Sequence, residues 1–338
     1  MMITQKSKPH TFVIPIFKDN KTYLYYTNRT VGQPPLVVKL VVELGGSALF
    51  FQCDRISYNS TTYTHVLCGS PGCAQTKDRC TSCSSAPLGL HAETTRVSLN
   101  YTSPSTYLAP KLAVRTRLTC VGVFEDSGWS DLPNGANSIL GLADSSMSFV
   151  KSVESSYKIP FKVALCLPSK PKNNSGSVYI GRLLVSTPLV SIPENGVDNY
   201  YIDVKSIEVN GNKLSFNQDF LTFNKTTHWR GTKISSIIPY TLFYKSFGGK
   251  SLLGKKTPVI SFVLGGGAKW DIYGTNSLVM VNKTIMCLAF VDARNDPRFP
   301  IEMGGYQMED HLVEFDFEAS TFSFTSSLLR HNASCSRM

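Results

Sequence analysis

Glu43 ends the apolar run Val41-Val42 and is followed by Leu44-Gly45-Gly46, so it reads as a carboxylate at the end of a buried strand entering a glycine turn. A carboxylate at such a place is suited to proton transfer, provided a second group shares the work. Ser235 and Ser236, with His228 close in sequence, suggest a Ser-His-Glu arrangement completed by Glu43. The simpler reading, small serines packed at a domain junction, is adopted because sequence supplies no hydrogen-bond geometry for catalysis. The glycine-rich stretch Val263–Trp270 lacks the Lys-Ser/Thr ending of a phosphate loop and lies between strand-like runs, which makes it a hairpin turn. The six histidines, His10, His65, His91, His228, His311 and His331, show no metal-ligand spacing. No metal and no cofactor is expected.

Cysteines carry more information. Of nine, six (Cys53, Cys68, Cys73, Cys80, Cys83 and Cys120) fall in one stretch, and Cys166, Cys287 and Cys335 follow. The spacing Cys68-Gly-Ser-Pro-Gly-Cys73 and Cys80-Thr-Ser-Cys83 imitates a zinc site, but the Gly/Pro/Ser/Thr setting favours disulfides stapling an irregular excursion. All nine are disulfide candidates, and the odd count leaves one thiol over. Eight Asn-x-Ser/Thr acceptors, at Asn20, Asn28, Asn59, Asn100, Asn173, Asn224, Asn282 and Asn332, point likewise to the secretory route. The first ten residues, MMITQKSKPH, contain no apolar signal core, so an extracellular or cell-wall location is expected without a visible signal peptide.

The elements around these residues are strands. With 338 residues, 42% hydrophobic and 17% charged, the chain is long enough for two cores. Runs such as TFVIPIF, LVVKLVVEL, FKVALCL, GSVYIG, YYIDVKSIEVN, PVISFVL and HLVEFDFEASTFSF are rich in Val, Ile, Phe and Tyr. Helical pattern is confined to 146–158, with Phe149, Val150, Val153 and Tyr157 on one face, and to 238–247, opened by Pro239. A coarse repeat links ELGGSAL near 43 to GTKISSIIPYTLF near 235, and NSILGLA to EMGGYQMEDHLVEFD. Two similar β domains are expected, 12–185 and 186–330, with tails at 1–11 and 331–338. No 18-residue apolar run exists to span a membrane. The formal charge of +10 is spread without Lys/Arg blocks, which excludes a nucleic-acid groove and leaves attraction to an acidic protein or acidic cell-wall polymer.

These segments, taken with SILGLADSSMSFVKSV, ISYNSTTYTHVLCGSPGC, DIYGTNSLVMV, MCLAFVDA and SFTSSLL, resemble the pepsin-like aspartic proteases over nearly the whole chain. The resemblance is strongest to the plant extracellular branch of basic 7S globulins, gamma-conglutins, extracellular dermal glycoprotein and inhibitors of xylanases and xyloglucan-specific endoglucanases. It implies an all-β, bilobal fold of two β-barrel-like domains with a central cleft. In proteolytic members each domain gives one aspartate, and the pair shares a proton to activate water. The resemblance places Glu43 and Ser235 at those two positions, with Leu44 for the Thr/Ser and Ile237 for the second glycine. Serine cannot replace a carboxylate, so no catalytic residue is expected. The region 91–114, with Pro104 and Pro110 interrupting it, reads as too short and polar for the flap that closes over substrate, and Tyr101 and Tyr107 are not taken as flap tyrosines. The segment 248–257 is shorter than in the relatives, whose insertion bears a cysteine; Cys287 or Cys335 is then the leftover thiol. Glu309, Asp310 and Asp316 belong to the second domain's framework.

The function this implies is a non-proteolytic secreted protein that binds or inhibits microbial cell-wall-degrading glycoside hydrolases, or another extracellular protein. Trp129 and Trp229 in polar turns, and Arg330 and His331 near the basic end with Arg337, are its candidate partner-binding residues. Two alternatives are an aspartic-type endopeptidase or residual hydrolase activity, and a seed-storage-like globulin or diverged non-functional paralogue.

Overall fold

A computed structural model describes residues 9–52, 59–62, 64, 65, 67, 69, 90–103, 106–121, 131–145, 148–170, 175–181, 189–191, 200–224, 226, 227, 230–243, 257–282, 285–292 and 300–337. It is built mainly of strands. Two compact units are formed: residues 1–16, 26–164 and 177–184 make the first, and residues 17–25, 165–176 and 185–338 the second.

In the first unit the Tyr25–Val31 and Leu36–Glu43 strands pair antiparallel, with Tyr26 opposite Val41 and Val31 opposite Leu36. Val38, Leu40, Val41 and Val42 are buried, so the second of these strands is enclosed on both faces near its end. Leu36–Glu43 runs parallel to Ser138–Gly141, and Leu49–Phe51 runs antiparallel along the opposite edge of Ser138–Gly141. The chain therefore reverses at Gly45-Gly46 and straddles a strand that arrives much later in sequence.

Beyond Leu49–Phe51, which runs parallel to its second strand, the sheet continues in a long hairpin, Leu90–Ser103 with Thr106–Val121. The expectation that prolines interrupt this region is corrected at Pro110, which sits inside a strand. Leu99 faces Leu112 and Tyr101 faces Ala109, so Pro110 falls in a register shift where no ladder N–H is required of it. The Phe149–Tyr157 helix forms as the apolar pattern predicts: Phe149, Val150 and Val153 are buried. The Ser148 hydroxyl caps it by accepting from the Lys151 N–H at 3.1 Å, and Lys158 ends it with φ 53°.

The second unit contains a five-stranded sheet in the order Tyr200–Ile202, Thr232–Ile234, Ile301–Met303, Thr241–Phe243, Phe290–Asp292. Thr241–Phe243 lies in the stretch expected to be helical, and that expectation is corrected: pairing on both edges overrides the local pattern. A four-stranded sheet orders Asn212–Lys213, Val204–Val209, Ile260–Leu264 and Lys269–Ile272. Trp270 is fully buried there, stacked on Phe324 at 5.3 Å and near Phe322 at 5.5 Å.

The segment expected as a C-terminal tail is instead anchored. Cys335 is buried, bonded to Cys166 across 169 residues, and its N–H donates to Asp310 Oδ1 at 2.9 Å. Cys287 is free and exposed, which settles the choice between Cys287 and Cys335. Cys53, Cys68, Cys73, Cys80 and Cys83, the side chain of Cys120, and the residues Trp129, Asn173, His228 and Trp229 lie outside the described residues.

Candidate functional site

Glu43 and Ser235 hold the same place in their own units. Glu43 stands opposite Gly141 in the parallel ladder. In the second unit Ile234 stands opposite Met303, so Ser235 comes next to Gly304, with its N–H donating to Met303 O at 2.9 Å. A Cβ on Gly141 would lie 2.3 Å from the carbonyl oxygens of Gly46 and Ala48, three and five residues after Glu43. A Cβ on Gly304 would lie 2.8 Å from Ile238 O and 2.5 Å from Tyr240 C, three and five residues after Ser235. Each unit thus folds a strand, a tight return and a glycine-bearing third strand into one local design, and the residue at its centre differs: a carboxylate in one, a hydroxyl in the other.

Leu44, next to Glu43, is buried, and Ser235 and Ser236 are 3% and 1% exposed. Ile237 is exposed in the position that pairs with Gly45. A serine hydroxyl stays neutral at any pH where the protein is folded and accepts no proton from water.

A second polar centre, not anticipated in its detail, is assembled in the second unit. Lys18 is 6% exposed and Glu309 1%, and the Lys18 ammonium meets Glu309 Oε1 in a short ion pair. The Tyr25 hydroxyl donates to the same oxygen at 2.6 Å. Lys18 also lies over the rings of Tyr306 at 5.2 Å and Tyr23 at 5.4 Å. Burial pushes the Glu309 carboxyl up to about 7, with Lys18 and the Tyr25 hydroxyl pulling the other way. Burial, then the neighbouring Glu309 charge, raises the Tyr25 hydroxyl well above its ordinary value. Around it, Asn276 Nδ2 donates to the carbonyls of Tyr306 and Glu309, and the Gln307 side chain ties Thr241, Asn276 and Ala289 together. His311 Nδ1 lies 2.9 Å from Glu309 O, and burial lowers its pKa. Asp316 Oδ1 accepts from the Ala319 N–H at 3.0 Å. Lys18 ends an apolar strand as the only charge in TFVIPIFK, which was the available signal.

The partner candidates divide. The Arg330 guanidinium stacks on Tyr273 at 4.6 Å and donates to its hydroxyl, and His331 Nε2 lies 3.1 Å from Ser326 Oγ. Ser169, Lys170, Leu329, Asn332 and Ser334 line a pocket of about 340 Å³ nearby. Among the acceptor asparagines with described side chains, Asn20, Asn28, Asn59, Asn224, Asn282 and Asn332 are all exposed. No group of three or more His, Cys, Asp or Glu that could hold a metal occurs among the described residues, and no described helix is long and apolar enough to cross a membrane.

Comparison with known proteins agrees with this architecture. The xylanase inhibitor N-terminal family model matches residues 25–182, and the xylanase inhibitor C-terminal model matches 199–247 and 242–326. The chain is 29% identical to the probable aspartic proteinase GIP1 of Glycine max, over 96% of this chain and 91% of the relative. It is 26% identical to gamma conglutin 1 of Prunus dulcis, over 97% and 89%. The crystal structure of EDGP superposes with a TM-score of 0.84 at 24% identity, covering 98% of each chain.

Proposed function

Because the chain belongs to the plant pepsin-like family defined by the xylanase inhibitor N- and C-terminal domains, we propose that it is a secreted, non-proteolytic member that binds and inhibits a microbial cell-wall-degrading glycoside hydrolase of xylanase or endoglucanase type. The observation that carries the loss of proteolysis is the pairing of Glu43 with Ser235 as equivalent residues of the two units. One carboxylate lacks the like-charged neighbour that splits the two apparent pKa values, so acid and base roles are not both filled. Six exposed Asn-x-Ser/Thr acceptors and the Cys166–Cys335 bond support passage through an oxidising, glycosylating compartment. The formal charge of +10 supports an acidic partner surface, with loops carrying the specificity.

Two assays test this reading. Secreted protein is titrated against a panel of microbial xylanases and endoglucanases, and at least one is expected to bind more tightly than to a control protein. The same protein is incubated with denatured substrate at acidic pH, with and without a transition-state mimic of aspartic proteases. Cleavage blocked by the mimic would replace the inhibitor reading with an endopeptidase one; absence of any hydrolase binding would remove it.

A further inference from the structure

The Leu278–Met280 and Met286–Leu288 strands form a two-stranded sheet, with Leu278 opposite Leu288, Val279 opposite Cys287 and Met280 opposite Met286. Its turn is closed by the Val281 N–H donating to Ile285 O at 2.9 Å and by the Ile285 N–H donating to Asn282 Oδ1 at 2.8 Å. The composition belongs in a core, yet Met280 is 56% exposed, Val281 62%, Ile285 49% and Met286 47%. Of the 11 exposed large apolar side chains among the described residues, five fall between 280 and 288, so this is a patch and not scatter. Among the described residues no further strand pairs with either edge, and such a sheet is also a template for pairing with another copy. At its tip stands Asn282, exposed and opening the acceptor Asn282-Lys283-Thr284.

We propose that Asn282 carries an N-linked oligosaccharide whose role is to cover this hairpin. The proposal rests on the secretory part of the functional reading and not on hydrolase binding. In the transfer, Asn282 Nδ2 forms a bond to C1 of the sugar and loses one proton. The C1–oxygen bond to a lipid diphosphate carrier breaks, and the carrier leaves with its diphosphate. The first sugars present C–H faces that lie against the Met, Val and Ile side chains, while their hydroxyls point to water. The bulk of the glycan keeps a second copy from the sheet edge. The acceptor's place at the tip of the patch selects the chain's own sugar as the occupant.

The test uses wild-type protein secreted from glycosylating cells, beside Asn282→Gln and Thr284→Ala, which remove the acceptor in different ways. All carry Cys287→Ser, so that an intermolecular Cys287 disulfide does not contribute while the Cys166–Cys335 bond stays intact. Peptide mass spectrometry is expected to find Asn282 occupied. Sedimentation is expected to show both variants self-associating about tenfold more strongly than wild type. Asn224→Gln should behave as wild type, and adding Met280→Thr and Met286→Thr to Asn282→Gln should restore it. If the variants are not secreted, enzymatic trimming of the folded wild type gives the same comparison. An unmodified Asn282, or variants that associate no more than wild type, overturns the proposal. So does a glycosylated wild type that is itself a dimer with this hairpin protected, since a second copy is then the occupant. Hydrolase binding is measured on the same samples, so its absence with Asn282 occupied strikes the functional reading alone.

Discussion

Glu309 and His311 titrate in opposite senses although they are two residues apart. Glu309 is raised in the folded state to about 7, so it contributes stability that is complete below its unfolded value and lost as pH rises through about 7. His311 is lowered by burial, so its contribution is complete above its unfolded value and lost as pH falls through the folded one. Denaturant unfolding followed from pH 4 to pH 8 is expected to lose a descending component in Glu309→Gln and an ascending one in His311→Phe. Glu309→Gln should also lower stability at pH 8 by about 3–5 kcal/mol, because it leaves the Lys18 ammonium buried without its counter-charge. An unchanged pH profile in both variants would show that neither group is buried in the folded protein. At this scale the chain neighbours of Glu43 and Ser235 single them out, and the ladders set each beside a glycine of a third strand. Sequence reading failed for Lys18 and Tyr25, because their partner Glu309 lies 284 residues beyond Tyr25 and no local pattern encodes a pairing at that distance.

The strand–return–strand design built around Glu43 depends on a glycine approached by backbone. Gly141→Ala places a methyl group 2.3 Å from two carbonyl oxygens that belong to the return, and those atoms have little freedom to move. Destabilisation of about 1–3 kcal/mol is expected from overpacking, read as a lower urea midpoint with unchanged slope. Ser148→Ala, which removes the cap of the Phe149–Tyr157 helix, should cost about 1 kcal/mol. That helix was legible because its apolar spacing, its cap and its end are all local. Thr241–Phe243 was not, since the partners that make it a strand, Phe290–Asp292 and Ile301–Met303, come much later in the chain. Pro110 misled for a related reason: only the pairing register shows that the ladder asks nothing of it.

For the molecule as a whole, the formal charge of +10 predicts that association with an acidic hydrolase slows as salt is raised while dissociation changes little. Stopped-flow mixing at two ionic strengths measures this, and a salt-independent association rate would count against charge steering. Replacing both Cys166 and Cys335 by serine should cost about 2–5 kcal/mol. The same bond has a consequence for how the chain is made. The residues assigned to the first unit all lie before residue 185, so they have emerged while synthesis is still in the middle of the protein. The second unit begins with residues 17–25, yet Tyr25 and Lys18 await Glu309, and Cys166 awaits Cys335. A turn among the earliest residues to emerge must therefore stay undocked, and Cys166 must wait for Cys335, until the end of the chain is made. Folding yield then depends on how long a nascent chain keeps one thiol in reserve.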